Sequence, residues 1–172
     1  MEEGDSLGGV IQGLAIVPAG LGDPVYRKIE ALLAFGMLSI PASKGFEIGK
    51  GFRASSMLGS EHNDEFENLN GEVRAKTNSA GGVLGGITTG EPLIFRVAFK
   101  PTSSIKKRQE TVTLEGDKTQ MTLSQNVRHD PCVAIRAAPV VEAMTALVLA
   151  DTLLMDPKGL RANQLEKRKV LF

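Results

Sequence analysis

Residues 92–99 constrain this chain most. Leu93, Phe95, Val97 and Phe99 alternate with Ile94, Arg96 and Ala98. Successive strand side chains point to opposite faces, so strict alternation predicts a strand with one buried face. Such a strand needs partners for its backbone groups. Residues 8–17, GGVIQGLAIV, are rich in β-branched side chains and stop at Pro18, so they read as a strand entering a turn. Residues 45–54, GFEIGKGFRA, read as another. Residues 111–115 and 119–123 read as short strands joined by a turn at Gly116-Asp117. Turns, not regular βαβ units, separate these strands, which favours an antiparallel sheet and an α+β class.

Two helices are expected against that sheet. Asp23-Pro24 offers an N-cap followed by proline at the first helical position, and Val25, Ile29, Leu32 and Leu33 follow at helical spacing. This predicts an amphipathic helix over 24–38, closed by Ile40-Pro41 because the residue before proline avoids the α region. Pro139 is expected to open a second helix over 139–155, with Val140, Met144, Leu147, Val148 and Leu154 on its apolar stripe. Glu142, near that start, reads as a cap or helix-dipole partner. Between these elements, 59–78 reads as a long polar connection whose acidic part, 61–67, is a solvated face. The charged tail from 156 onward reads as frayed.

The 172 residues fit one ordinary domain. A content of 42% hydrophobic and 23% charged residues places the chain among globular proteins and not among disordered ones. Lys+Arg and Asp+Glu are 20 each, and this balance argues against a domain built to neutralise nucleic-acid phosphates. The acidic start MEEGDSLGG lacks the basic, apolar pattern of a signal peptide. Arg136, Glu142, Thr145 and Asp151 interrupt the apolar run 133–155, so no membrane span is read there, and a soluble, cytoplasmic protein is expected. A single cysteine, Cys132, excludes an intrachain disulfide and reads as a small buried residue. His62 reads as a surface residue, and His129 has no metal-ligand spacing to it, so no metal site is expected.

Three loops carry residues suited to chemistry. Residues 77–87, TNSAGGVLGGI, let backbone amides approach a ligand, or else serve tight packing. Lys100-Pro101-Thr102-Ser103-Ser104 sets one ammonium beside three hydroxyls on a stiffened turn, which suits a phosphate monoester or simply caps an exposed turn. Arg128, His129 and Asp130 place a guanidinium, an imidazole and a carboxylate in succession, for gripping an anion and moving a proton or for a salt-bridged loop.

Taken in order, GDSLGGVIQGLA, VPAGLGDPVYRKIEALLAFGMLSIPASKGFEIGKGF, NSAGGVLGGITTGEP, FKPTSSI and RHDPCVAIRAAPVVEAM resemble chorismate synthase over essentially the whole chain. The resemblance implies a β-α-β sandwich, with helices packed between antiparallel sheets, assembled as a homotetramer. It implies a carbon–oxygen lyase of the shikimate pathway of aromatic biosynthesis. There, 5-enolpyruvylshikimate 3-phosphate loses phosphate and a ring proton by 1,4-anti elimination to give chorismate. Reduced FMN is required without net redox change: the flavin donates an electron transiently and its N5 takes up the proton. Reduction by NADPH or by a separate reductase is left open.

The same resemblance assigns site residues. Lys100, Pro101, Thr102, Ser103 and Ser104 match the flavin phosphate and ribityl loop. Pro41 and Ala42 match a flavin-contacting pair whose first member varies, so backbone contact is expected. Gly85 matches a glycine against the flavin. Arg128 matches an arginine at the flavin and substrate anions. Asp130 matches the carboxylate near flavin N5, the candidate proton relay. Family members are roughly twice this length. The N-terminal half that holds two catalytic histidines, substrate-gripping arginines and part of the flavin pocket has no counterpart here. Residues 1–172 are therefore expected to be the C-terminal half of a single domain, a fragment of the enzyme not expected to turn over alone. The alternative is a non-catalytic FMN- or phosphate-binding, or merely oligomerising, fragment.

Overall fold

The computed structural model describes residues 4–124 and 130–155. A three-stranded antiparallel sheet forms the centre. Strand β1 (Gly9–Ala15) and strand β2 (Ser43–Ile48) flank β7 (Leu93–Phe99). The expected alternation is realised in β7: Leu93, Phe95, Val97 and Phe99 are buried. Register sets Gly13 opposite Phe95 and Gln12 opposite Arg96 on one side, with Glu47 opposite Arg96 on the other. The Arg96 Nε–Glu47 Oε1 pair, at 2.9 Å, therefore crosses between strands on the outer face.

Helices α1 (Ile29–Leu38) and α3 (Ala134–Met155) pack on each other and back the sheet, α1 against β2 and α3 against β1. Their buried residues, Ile29, Leu33, Met37, Ala134, Ala137 and Val141, close the core with the inner face of β7. This is the mixed helix and antiparallel-sheet fold that the sequence predicts, with one sheet layer and the helix layer among the described residues.

Both helices start elsewhere than predicted. Residues 23–27 are not helical: the Asp23 amide donates to the Arg27 carbonyl at 2.9 Å, and α1 begins five residues after Pro24. Lys28 precedes α1 without a side-chain cap, and the Ile29 amide donates instead to the Gly86 carbonyl at 3.0 Å. A tertiary acceptor thus replaces the local cap. Val25 is consequently exposed rather than on the apolar stripe. Helix α3 begins at Ala134, so Pro139 lies inside it and Glu142 is an exposed residue well past the first turn. Pro139 is the sixth residue of α3, past the first turn, so the Ile135 carbonyl loses the amide donor that another residue would supply there. The buried stripe follows Ala137, Val141 and Thr145, with Met144 and Val148 partly buried, while Val140, Leu147 and Leu154 are exposed. Thr145 enters the core because its hydroxyl donates to the Val141 carbonyl at 2.7 Å. One 18-residue window of α3 has a mean hydropathy of 1.6, enough by length and composition alone to cross a bilayer, yet its buried side packs into this core.

The connections hold more structure than expected. Strand β2 ends at Ile48, and a 3-10 turn over Gly51–Ser56 replaces the rest of the predicted 45–54 strand. The polar stretch carries a short helix α2 (Gly59–His62) and a hairpin, β3 (Phe66–Leu69) with β4 (Glu72–Ala75). Its two-residue Asn70-Gly71 loop has φ of 55° and 92°, the geometry that keeps the twist of paired strands. The glycine-rich loop is likewise a miniature hairpin, β5 (Val83–Leu84) and β6 (Ile87–Thr88), turned at Gly85-Gly86. Strands β8 (Gln109–Val112) and β9 (Lys118–Met121) pair across the Gly116 turn; both start and end earlier than the predicted 111–115 and 119–123.

Candidate functional site

Strand β7 delivers Lys100-Pro101-Thr102-Ser103-Ser104 to one end of the sheet. Helix α1 delivers Pro41-Ala42 to the same end. The Lys100 amide donates to the Ala42 carbonyl at 2.9 Å, so these two candidate segments are neighbours. Ala42 holds a left-handed φ of 68°, a conformation costly for a side chain with a Cβ and set by the surrounding chain.

Asp130 meets the same loop from the other side. A cleft of about 150 Å³ is lined by Ser104, Ile105 and Lys106, by Asp130 and Pro131, and by Gly4, Asp5 and Ser6. Pockets that enclose a whole drug-sized ligand run from roughly 300 Å³ upward. This cleft therefore matches one end of such a ligand. Lys100, Pro101 and Ser103 are exposed, whereas Thr102 and Ser104 are half-buried. The Thr102 Oγ1 atom is buried and has no hydrogen-bond partner among the described residues. A buried hydroxyl without a partner costs free energy, and this one lies on the loop beside the cleft, behind its lining. Hydroxyls, backbone amides and nearby ammonium groups suit a phosphate end, and the two carboxylates of the lining, Asp5 and Asp130, are each held in an ion pair.

Short contacts hold the walls together. Ser6 Oγ donates to the Thr102 carbonyl at 2.7 Å, and the Leu7 amide donates to the Pro131 carbonyl at 2.8 Å. The Lys106 amide donates to the Gly4 carbonyl at 2.9 Å, and Lys107 Nζ lies 2.7 Å from Asp5 Oδ2. The Lys107 ammonium, followed by the Ser6 amide, holds the Asp5 carboxyl below its ordinary pKa. Asp130 itself pairs with Arg136 Nε at 3.3 Å, an ion pair with Arg136 largely exposed. Sequence reasoning missed Ser6 and Arg136. Arg136 is six residues beyond Asp130 and ahead of the predicted helix start at Pro139, whereas α3 begins at Ala134 and includes it.

One described candidate lies apart. Gly85 sits at the N-terminal end of α1, next to Gly86, whose carbonyl accepts from Ile29. The ten residues of α1 put it roughly 15 Å along the axis from the Ala42 end. Arg128 lies outside the described residues, as does His129.

The acidic stretch 61–67 is also not simply a solvated face. Asp64 Oδ1 accepts from the Thr77 hydroxyl at 2.6 Å and the Ser79 amide at 2.7 Å. Its Oδ2 accepts from the Ala80 amide at 2.8 Å. Desolvation pushes the Asp64 carboxyl up, but the bonds from Thr77, Ala80 and Ser79 outweigh it, and its pKa is lowered. An acidic residue in a polar run carries no pattern that reveals such a clamp.

A helix-backed antiparallel sheet with a polar cleft where two loops meet defines an α+β protein with a candidate binding site. The sequence model of the family described as chorismate synthase matches residues 1–154. The chorismate synthase of Protochlamydia amoebophila is 61% identical over 155 residues, covering 90% of this chain and 42% of the relative. That of Synechococcus elongatus is 58% identical over 154 residues, covering 88% and 42%. A crystal structure of chorismate synthase superposes with a TM-score of 0.70 at 37% identity, covering 89% of this chain and 39% of that one. The chain belongs to the chorismate synthase family. It spans less than half the length of the relatives it matches.

Proposed function

We propose that this chain is the C-terminal portion of a chorismate synthase and forms one end of its flavin and substrate pocket. The reaction is the loss of phosphate and a ring proton from 5-enolpyruvylshikimate 3-phosphate, a carbon–oxygen lyase step in aromatic biosynthesis. The observation that carries this reading is the orphaned Thr102 hydroxyl, on a loop that shares a cleft with Asp130.

Thr102, Ser103 and Ser104 supply hydroxyl and amide donors to the FMN phosphate and ribityl chain, with Lys100 supplying charge at the rim. Pro41 and Ala42 contact the flavin through their backbone. When bound, reduced FMN supplies transient electron density to the elimination and is regenerated without net redox change. Asp130 carries the departing ring proton away from the reacting face, and Arg136 holds its carboxylate in direction meanwhile. Arg128 grips the flavin and substrate anions. Gly85 is outside this cleft, so the proposed pocket rests on the other positions. The working form is a cytoplasmic homotetramer, into which the exposed apolar residues of α1 and α3 are gathered.

A second reading is favoured by the size of the cleft, which fits only one end of a ligand: these residues by themselves bind FMN or phosphate, or associate, without turnover. The test supplies the unmatched part of the Protochlamydia relative as a second polypeptide. Phosphate release from the enolpyruvyl substrate under reduced FMN is then followed. The assembled protein should turn over, and Asp130→Asn should slow turnover far more than it weakens FMN binding. Equal turnover in Asp130→Asn removes the proton-relay role. FMN binding without any phosphate release favours the second reading.

A further inference from the structure

The cleft is built from segments about a hundred residues apart, and something must hold them in register. We propose that Ser6 is a positioning residue for the phosphate loop, acting through the Thr102 carbonyl. This rests on the reading of residues 100–104 as an anion loop.

The strap that contains Ser6 touches both walls with consecutive residues. Ser6 Oγ donates to the Thr102 carbonyl at 2.7 Å, and the next amide, that of Leu7, donates to the Pro131 carbonyl at 2.8 Å. One residue earlier, Asp5 Oδ1 accepts the Ser6 amide at 2.8 Å and so fixes the serine itself. The strap also ties down the far side of the loop, where the Gly4 carbonyl accepts the Lys106 amide at 2.9 Å.

The consequence is geometric. A peptide unit is planar, so pinning the Thr102 carbonyl fixes the direction of the Ser103 amide as well. It also fixes the Thr102 Cα, from which the buried, unpartnered hydroxyl projects. Released from Ser6, that peptide can rotate, and the Ser103 amide and the Thr102 side chain lose the orientation that the strap gives them. Pre-ordering of this kind raises affinity by lowering the entropy that a ligand must remove. Ser6 touches no ligand in this account; it makes the loop's donors converge.

The test uses this chain with FMN and with riboflavin, which differ by the phosphate. Ser6→Ala should weaken FMN about five- to tenfold, the loss of one neutral hydrogen bond, and weaken riboflavin, which keeps only the ribityl contacts, by clearly less. Ser6→Thr, which keeps the hydroxyl, should restore FMN affinity. A merely structural role would instead weaken both flavins together and would lower the melting temperature in proportion. Unchanged FMN affinity in Ser6→Ala, or equal loss of both flavins, overturns the proposal. Amide exchange at Leu7 and Lys106 is read in parallel. If the unaltered chain binds neither flavin, the anion-loop reading fails, and the exchange data still decide the strap. Faster exchange at both amides in Ser6→Ala sustains Ser6 as the tie between the two loops, and unchanged exchange overturns it.

Discussion

Gly13 lies directly opposite Phe95 in the sheet, and the phenyl ring occupies the space a side chain would need. A Cβ on Gly13 would fall 2.2 Å from Phe95 Cζ. The ring has nowhere to retreat: Phe95 is 1% exposed and stacks on Phe46 with centroids 5.7 Å apart. Overpacking of this sort costs about 1–3 kcal/mol. Gly13→Ala should therefore lower the stability measured by urea unfolding by that amount, and unchanged stability would contradict the packing described. A glycine in a strand signals close approach, but nothing in the sequence says which ring approaches it. The chemistry-bearing residues divide in the same way. Thr102, Ser104 and Asp130 are legible as types suited to an anion and a proton, whereas the meeting of Ser104 and Asp130 in one cleft, with Thr102 on the adjoining loop, depends on Ser6 and Leu7, whose bonds span the chain.

The sheet and both helices are legible because hydrophobic periodicity reports burial directly. Strand β7 is the clearest instance, with the predicted face buried throughout. Helix starts are less legible because tertiary acceptors compete with local caps. The Gly86 carbonyl takes the Ile29 amide, so the Asp23-Pro24 signal is not used for α1. The hairpin at β3 and β4 had a signal, Asn70-Gly71, within a run otherwise read as loop because its strands are exposed and lack an apolar face. That hairpin is joined to the glycine-rich loop by Asp64. The folded carboxyl is held below its usual pKa, so the clamp contributes fully above the unfolded value, about 3.9, and is lost as pH falls through the lower folded value. Asn offers a single acceptor oxygen and cannot serve the Ser79 and Ala80 amides from two sides. Asp64→Asn should be less stable than the unaltered chain at neutral pH, with the difference shrinking below pH about 4. Acid titration of unfolding in both proteins checks this; a difference independent of pH would count against the clamp.

At the scale of the whole molecule, large apolar side chains remain in water. Phe35 on α1 is 77% exposed, and Ile135 and Leu147 on α3 are 76% and 65% exposed. Exposed apolar surface of this kind favours association. The chain should self-associate in gel filtration at micromolar concentration, and Leu147→Glu should shift it toward monomer with little change in melting temperature. A monomer with or without that substitution would mean these side chains are not sticky in the folded chain. Exposure of these side chains is not legible in the sequence, since periodicity cannot tell a helix face covered by its own chain from one left open. The cleft at the other end of the sheet is the central claim. A fluorescence titration of this chain with FMN tests it most directly, run beside riboflavin and repeated with 5-enolpyruvylshikimate 3-phosphate present. The account predicts saturable FMN binding, much weaker riboflavin binding, and tighter FMN binding with the substrate. Equal affinity for the two flavins, or no binding of either, would contradict a phosphate-gripping loop formed by these residues alone.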